Sequence, residues 1–167
     1  MTTINNNSQA VQIIKQVVNS WATQSKIITD LFNLYADEHY LNEVAPARNR
    51  GIYLLGHLVS ATDGMLPILG LGDRLYPEME NLFSLNPDKT FNELPGVADL
   101  KEKWSTLNGV LAGLFDKLQP EEWLDRHTKV SPEDFALQPE RNKLNVLLAR
   151  TNHISYHTGQ LIFLKQK

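Results

Sequence analysis

The chain has 167 residues, of which 42% are hydrophobic and 21% charged, a composition typical of one globular domain spanning residues 1–167. A net charge of −3 without a basic block argues against nucleic-acid binding, and the absence of cysteine excludes disulfides, thiolate metal ligands and a cysteine nucleophile. No signal peptide is recognisable and no stretch reaches the apolar length of a membrane span, so we expect a cytoplasmic protein.

Apolar residues recur at helical spacing through the first half of the chain. Residues 1–7 are predicted to be frayed, and a long helix is predicted over about residues 8–37. Pro46 suits the first turn of a second helix, and Pro67 should kink or end it. Three glycines inside this helix indicate that a neighbouring helix or a ligand approaches closely: Gly51, Gly56 and Gly64.

The second half of the chain begins with a long connection, residues 71–96, which holds a short predicted helix near residues 77–84. Three helices follow, the first and last of them long: residues 97–118, a short helix capped by Ser131, and residues 139–165. With no strand pattern and no repeat, the sequence predicts an all-α fold, a four-helix bundle with one long crossover connection.

Histidines provide the chemical signal in this sequence. His153 and His157 lie one turn apart on the last helix, about 40° apart around its axis, so that both imidazoles can face one ion. Such a pair arises easily by chance, and a metal site needs a third protein ligand. His57 is the candidate because it stands in the middle of an apolar helix, whereas His39 and His127 lie in polar connections. The alternative is that all three are core residues that bind nothing.

Three further residues are candidates for the surroundings of this site. Gln160 follows His157 by one turn and would orient a ligand or hold a bound water or substrate, unless it only packs between helices. Tyr53 and Arg50 precede His57 on the same side of the second helix and would bind an anionic substrate, unless Arg50 simply extends to the surface.

The segments GHLVSATDGM and NHISYHTGQL, taken together, resemble the DinB-like family of bacterial proteins. The resemblance spans essentially the whole chain and implies a four-helix bundle with a long crossover. In that family a histidine from the second helix and an H-x-x-x-H pair from the fourth bind one divalent metal, with nickel, zinc, iron or manganese variously found. Carried over to this chain, the ligands are His57, His153 and His157.

The resemblance also implies a range of activities. Some relatives are transferases or isomerases that use a low-molecular-weight thiol such as bacillithiol, mycothiol or glutathione, others are metal-dependent hydrolases, and many have no known activity. We therefore expect a metal-dependent transferase that joins such a thiol to an electrophilic small molecule, with a hydrolase or a non-catalytic metal-binding or ligand-binding protein as alternatives. The resemblance further implies a homodimer and a link to the stress response.

Overall fold

The computed structural model describes the backbone of residues 3–166 and the side chains of residues 8–164. The chain is 69% helical, and the described part contains no strand. The all-α prediction is therefore confirmed. Seven α-helices follow one another in this part of the chain: α1 (Thr3–Leu34), α2 (Gly51–Asp63), α3 (Met65–Leu69), α4 (Glu78–Phe83), α5 (Val97–Phe115), α6 (Pro132–Leu137) and α7 (Lys143–Leu161). Short 3-10 turns cover Asp37–Leu41, Pro120–Leu124 and Ile162–Gln166.

The apolar stripes of the long helices meet in one hydrophobic core. Helix α1 packs along α7, while α2 packs against α4, α5 and α7. Side chains from all of these long helices are almost inaccessible to solvent: Ile28, Phe32, Leu55, Leu58, Trp104, Leu107, Leu147 and Ile154. Each such residue contributes roughly 1.5–3 kcal/mol by its burial. This core fixes α2 beside α7, the two helices that carry the candidate ligands.

The first helix is displaced towards the N-terminus relative to its prediction. It begins at Thr3 rather than near residue 8. Residues 1 and 2 lie outside the described part, and the fraying of residues 1–7 stays a prediction. It ends at Leu34 because the chain turns and Tyr40 packs back against it. The Tyr40 side chain is fully buried, and its hydroxyl donates a hydrogen bond to the Phe32 carbonyl at 3.1 Å. This bond satisfies a carbonyl that the end of the helix leaves free.

The second helix begins at Gly51, so the prediction that it begins at Pro46 is wrong. Pro46 lies instead in a tight turn, closed by a hydrogen bond from the Val44 amide to the Asn49 carbonyl at 3.1 Å. Ala47 in this turn has a φ of 59°, a left-handed conformation that no helix accepts.

Pro67 interrupts the second helix, as predicted. Helix α2 ends at Asp63, four residues before the proline, and α3 follows after Gly64. A proline has no amide hydrogen to donate to the carbonyl four residues earlier, and its ring crowds that carbonyl. The break therefore falls where the missing hydrogen bond would have been.

Gly56 permits the predicted close approach. A Cβ at this position would lie 2.4 Å from the Phe83 ring, so α4 can lie against α2 only because residue 56 has no side chain. This contact matters for the site, because the backbone of Phe83 reaches the face of α2 that carries His57.

The helices of the second half lie close to their predicted positions. Helix α5 ends three residues early, at Phe115, and the hydroxyl of Ser131 caps α6 as predicted, accepting from the Asp134 amide at 3.0 Å. Helix α7 begins at Lys143, because the Asn142 side chain caps it at 3.0 Å. The predicted start at residue 139 is therefore wrong.

One stretch of the described chain, Gly51–Leu69, is long and apolar enough to cross a membrane, with a mean hydropathy of 1.3. This corrects the expectation that no stretch has that length. The stretch is 72% buried inside the molecule, and a core helix passes the same test, so it is weak evidence for a membrane span.

Candidate metal centre

The three candidate histidines meet where α2 crosses α7. The Nε2 atom of His153 lies 3.1 Å from Nε2 of His57 and 3.0 Å from Nε2 of His157. The ligand atoms of all three residues lie within 4.8 Å of one another. His157 is buried, and the other two are half-buried. In the part of the chain that the structure describes, this is the one group of histidines and acidic residues that could hold a metal ion.

Hydrogen bonds on the outer side of two rings fix where their protons lie. His57 donates from Nδ1 to the Phe83 carbonyl at 2.8 Å, and His157 donates from Nδ1 to the Gln160 side-chain oxygen at 2.7 Å. A neutral imidazole carries one proton, so the Nε2 atoms of both rings present lone pairs to His153. A single proton on His153 Nε2 serves only one of them. A cation at the centre of the cluster satisfies all three nitrogens.

The spacing of these nitrogens fits a first-row divalent metal. A tetrahedral ion with bonds of about 2.0 Å holds its ligand nitrogens about 3.3 Å apart, close to the 3.0 and 3.1 Å separations of His153 from its two neighbours. Imidazole is accepted by zinc, nickel, copper and iron alike. Three protein ligands leave at least one position for a substrate or water, which is the arrangement of catalytic rather than structural sites.

The electrostatics of the cluster favour the neutral, metal-binding form of histidine. Burial, followed by the nearby His157, His57 and Arg150, lowers the pKa of His153 to about 3. Burial likewise lowers the pKa of His157, partly opposed by its hydrogen bond to Gln160. A ring must be deprotonated to bind a metal, so neither residue needs to lose a proton at neutral pH.

The surrounding residues divide into those that touch the ligands and those that do not. Gln160 accepts the hydrogen bond from His157 Nδ1, and its role towards a bound ligand stays a prediction. Tyr53 stacks on His57, with ring planes 7° apart and centroids 6.3 Å apart, but its hydroxyl is used by the Asn86 carbonyl at 2.7 Å. Tyr53 therefore supports the ligand, and its hydroxyl is not free for a substrate.

Arg50 is engaged elsewhere. Its guanidinium forms a two-pronged pair with the Asp88 carboxylate, with Nη2 to Oδ1 at 2.7 Å, and its own backbone amide donates to the same carboxylate. The predicted role of Arg50 in binding an anionic substrate is therefore not what its contacts favour. His39 and His127 are half-buried and lie outside the cluster.

A cavity of about 310 Å³ adjoins the cluster on the side of His157. Its wall consists of part of α7, one residue of α2 and the turn before α2: Val44, Ala47, Arg48, Asn49, Leu54, Tyr156, His157 and Gln160. No carboxylate is among these residues. Sequence analysis does not identify Arg48, Asn49 or Tyr156. Arg48 and Asn49 lie in a turn that the sequence predicts as helix, and this turn forms part of the cavity that Tyr156 lines.

No family model matches the sequence, and no curated protein matches it either. The resemblance to DinB-like proteins thus depends on the residues around His57 and around the His153 and His157 pair.

Proposed function

We propose that this protein binds one divalent metal ion through the Nε2 atoms of His57, His153 and His157 and acts as a metal-dependent enzyme on a small molecule. The observation that carries the proposal is the convergence of three imidazole nitrogens, two of which must present lone pairs because their Nδ1 protons are used elsewhere. Packing alone does not account for lone pairs that face one another.

We also propose that the helices form a DinB-like four-helix bundle. Its members would be α1, α2 continued by α3, α5 and α7, and the segment between Gly70 and Gly96 would be the crossover connection. The packing of α1 on α7 and of α2 on α5 and α7 supports this arrangement.

The reaction that we favour is transfer of a low-molecular-weight thiol to an electrophile. A divalent ion in the site would supply a Lewis acid that lowers the pKa of a bound thiol. The chain has no cysteine, so the thiol must come from a cosubstrate. The cavity of about 310 Å³ has the size of a small-molecule pocket. Arg48, Asn49 and Tyr156 would contact the electrophile, and Gln160 would hold His157 in place.

Hydrolysis is the competing activity. A hydrolase that activates water usually places a general base near the open metal position. The lining of the cavity offers no carboxylate for this role, and its histidine is a proposed ligand. This observation favours the transferase. A protein that binds metal without catalysis is the third candidate.

Metal content of untagged protein, measured by elemental mass spectrometry, tests the proposal. We expect near-stoichiometric metal in the wild type and little in the His153→Ala/His157→Ala double variant. The matched control is His39→Ala/His127→Ala, which removes two histidines outside the cluster and should keep the metal. Absence of metal from the wild type, even after reconstitution with several divalent ions, would overturn the proposal.

Turnover assays then separate the two reactions. The metal-loaded protein is given a chromogenic electrophile together with glutathione, bacillithiol or mycothiol, and separately a chromogenic ester without thiol. A transferase requires both metal and thiol, whereas a hydrolase cleaves the ester without thiol. Failure of both reactions in fully metal-loaded protein would favour the non-catalytic alternative. A homodimer, a cytoplasmic location and a link to stress stay predictions of the resemblance.

A further inference from the structure

Two buried side-chain nitrogens beside the metal centre have no hydrogen-bond partner among the described residues. They are Nε of Arg150 and Nδ1 of His153. The first always carries a hydrogen, and the second carries one when Nε2 of its ring faces a metal. The two residues lie three positions apart on α7, so their side chains are neighbours on one face of the helix. A buried donor without an acceptor destabilises the folded protein, and does so more strongly when it carries charge.

Among the described side chains, no acid forms an ion pair with Arg150, and burial, followed by the nearby Arg74 guanidinium, lowers its pKa. Arg74 engages the acids of this region: it donates to Glu80 at 2.7 Å and lies 3.9 Å from Asp63. The Asp63 carboxylate also accepts the backbone amides of Leu75 and Tyr76, at 2.8 and 3.1 Å.

The outer ring nitrogens of the three histidines also differ in whether they have a hydrogen-bond acceptor. A metal-bound histidine almost always donates its second ring N–H to an acceptor. His57 donates to a backbone carbonyl and His157 to a side-chain amide. His153 has no such acceptor among the described residues, and the guanidinium of the neighbouring Arg150 is itself a donor. A water molecule would satisfy His153, but it would leave the charge of Arg150 uncompensated.

We propose that Arg150 and the Nδ1–H of His153 form a binding site for an anion of carboxylate size, next to the metal centre. The anion is either a free small ion or the carboxylate of the substrate or thiol cosubstrate. Such an ion accepts from both donors at once and neutralises the guanidinium. This inference deepens the proposed function, and it depends on that function only for the role of His153 as a metal ligand.

Occupation of this site has a consequence for the metal. An acceptor at Nδ1 holds the proton of His153 on that atom and leaves the Nε2 lone pair facing the cluster. Outer partners of this kind typically change metal affinity by 10–100-fold. We therefore expect zinc to bind about tenfold more tightly when formate fills the site.

The first experiment uses chelator-treated, metal-free protein, so it does not depend on metal binding. Melting temperature is measured as sodium formate is titrated against a bulky sulfonate that keeps the ionic strength constant. We expect formate to raise the melting temperature of the wild type and to have no effect on Arg150→Met. The control is Arg141→Met, which removes the same charge from a side chain that is 40% exposed and should keep the formate response.

Misfolding of the variant does not imitate this result. Without formate, Arg150→Met should melt at or above the wild-type temperature, because it removes a half-buried charge that has no ion pair among the described residues. In excess formate, the wild type should melt at a higher temperature than Arg150→Met.

A second experiment identifies the source of the anion in cobalt-loaded protein. Affinities of mercaptoacetate and 2-mercaptoethanol are compared through the thiolate-to-metal absorption band. If the site takes a carboxylate of the thiol ligand, mercaptoacetate binds about tenfold more tightly to the wild type, and Arg150→Met abolishes the difference. Equal affinities together with a formate response identify a free anion instead. Both outcomes support the anion site.

An unchanged melting temperature of the wild type over the whole formate titration would overturn the inference. Equal zinc affinity of the wild type and Arg150→Met in excess formate would do the same. The two proposals fail separately, because a formate response in a protein that binds no metal would remove the metalloenzyme and leave the anion site.

Discussion

Two of the three candidate ligand histidines are oriented by groups of different kinds. His57 donates to the backbone carbonyl of Phe83, and a substitution of Phe83 would not remove this carbonyl. His157 is held by the side chain of Gln160, which substitution does remove. Gln160 therefore offers the most direct test of whether these outer hydrogen bonds prepare the nitrogens for a metal.

We expect Gln160→Leu to lower zinc affinity by about 10–100-fold, because His157 loses the acceptor that fixes its proton on Nδ1. Competition with a chromophoric chelator measures the change. Gln160→Glu keeps an acceptor and should retain the affinity, and Gln138→Leu, at an exposed position after α6, is the matched control. Equal affinity of Gln160→Leu and the wild type would contradict a role in orienting the ligand.

The stability of the metal-free protein should depend on pH through the same histidines. Burial lowers the pKa of His153 from its ordinary value of 6.5 to about 3, and lowers the pKa of His157 in the same direction. Over this pH range the unfolded chain therefore binds protons that the folded chain does not bind. The free energy of unfolding falls as pH falls from about 6.5 towards 3.

Urea denaturation of chelated protein between pH ~7 and ~5 measures this slope. His153→Ala should flatten the slope most, whereas His127→Ala should flatten it less, because burial and the nearby Arg141 and Arg126 lower the pKa of His127 at a partly exposed position. Parallel curves for wild type and His153→Ala would contradict the effect.

The sequence predicts best those site residues that are close to one another along the chain. His153, His157 and Gln160 share one helix, and helical geometry alone places them together. The partner of His57 is different, because it is the backbone carbonyl of Phe83, 26 residues away, and any residue type supplies a carbonyl. Arg150 was missed because its position becomes notable only once the acids around it are known to be engaged by Arg74.

At the scale of elements, the site depends on the contact between α2 and the short helix α4. Gly56 lets the Phe83 ring lie against α2, and the Phe83 carbonyl then reaches His57 Nδ1 at 2.8 Å. The presence of the long helices followed from periodicity, but the starts of α1, α2 and α7 did not. A turn hydrogen bond around Pro46 displaced the start of α2, and the cap by Asn142 displaced the start of α7; the sequence pattern ranks neither interaction.

We expect Gly56→Ala to weaken zinc binding and to destabilise the fold by about 1–3 kcal/mol, because the new methyl group overlaps the Phe83 ring and pushes α4 away. Zinc competition and urea denaturation measure the two effects. Gly109→Ala is the control, since a methyl group there meets nothing within 4 Å and should stabilise α5 by up to about 1 kcal/mol. Full metal affinity in Gly56→Ala would show that α4 does not position His57.

At the scale of the whole molecule, the proposed metal joins two helices that are distant in sequence. His57 and His153 are separated by 96 residues. An ion that binds only the folded chain stabilises it by about 3–4 kcal/mol when present at 100 to 1,000 times its dissociation constant. For a chain of this size that corresponds to a rise in melting temperature on the order of 10 °C.

Chelation should therefore lower the melting temperature of the wild type by about that amount, and leave the His153→Ala/His157→Ala variant unchanged. Differential scanning calorimetry with and without chelator measures both. The His39→Ala/His127→Ala variant should respond as the wild type does. A wild type that melts at the same temperature before and after chelation, although it carried metal, would show that the ion does not link the helices.

The segment between α3 and α5 is long and largely irregular, yet hydrogen bonds and an ion pair hold it against α2 at several points. Asp63, at the end of α2 and fully buried, accepts the amides of Leu75 and Tyr76, and Arg50, at its start, holds Asp88. Amide protons of Leu75 and Tyr76 can then exchange with deuterium only when the end of α2 opens. Hydrogen exchange should show these two loop amides protected to the same degree as the helix that holds them, and Asp63→Asn should release them first.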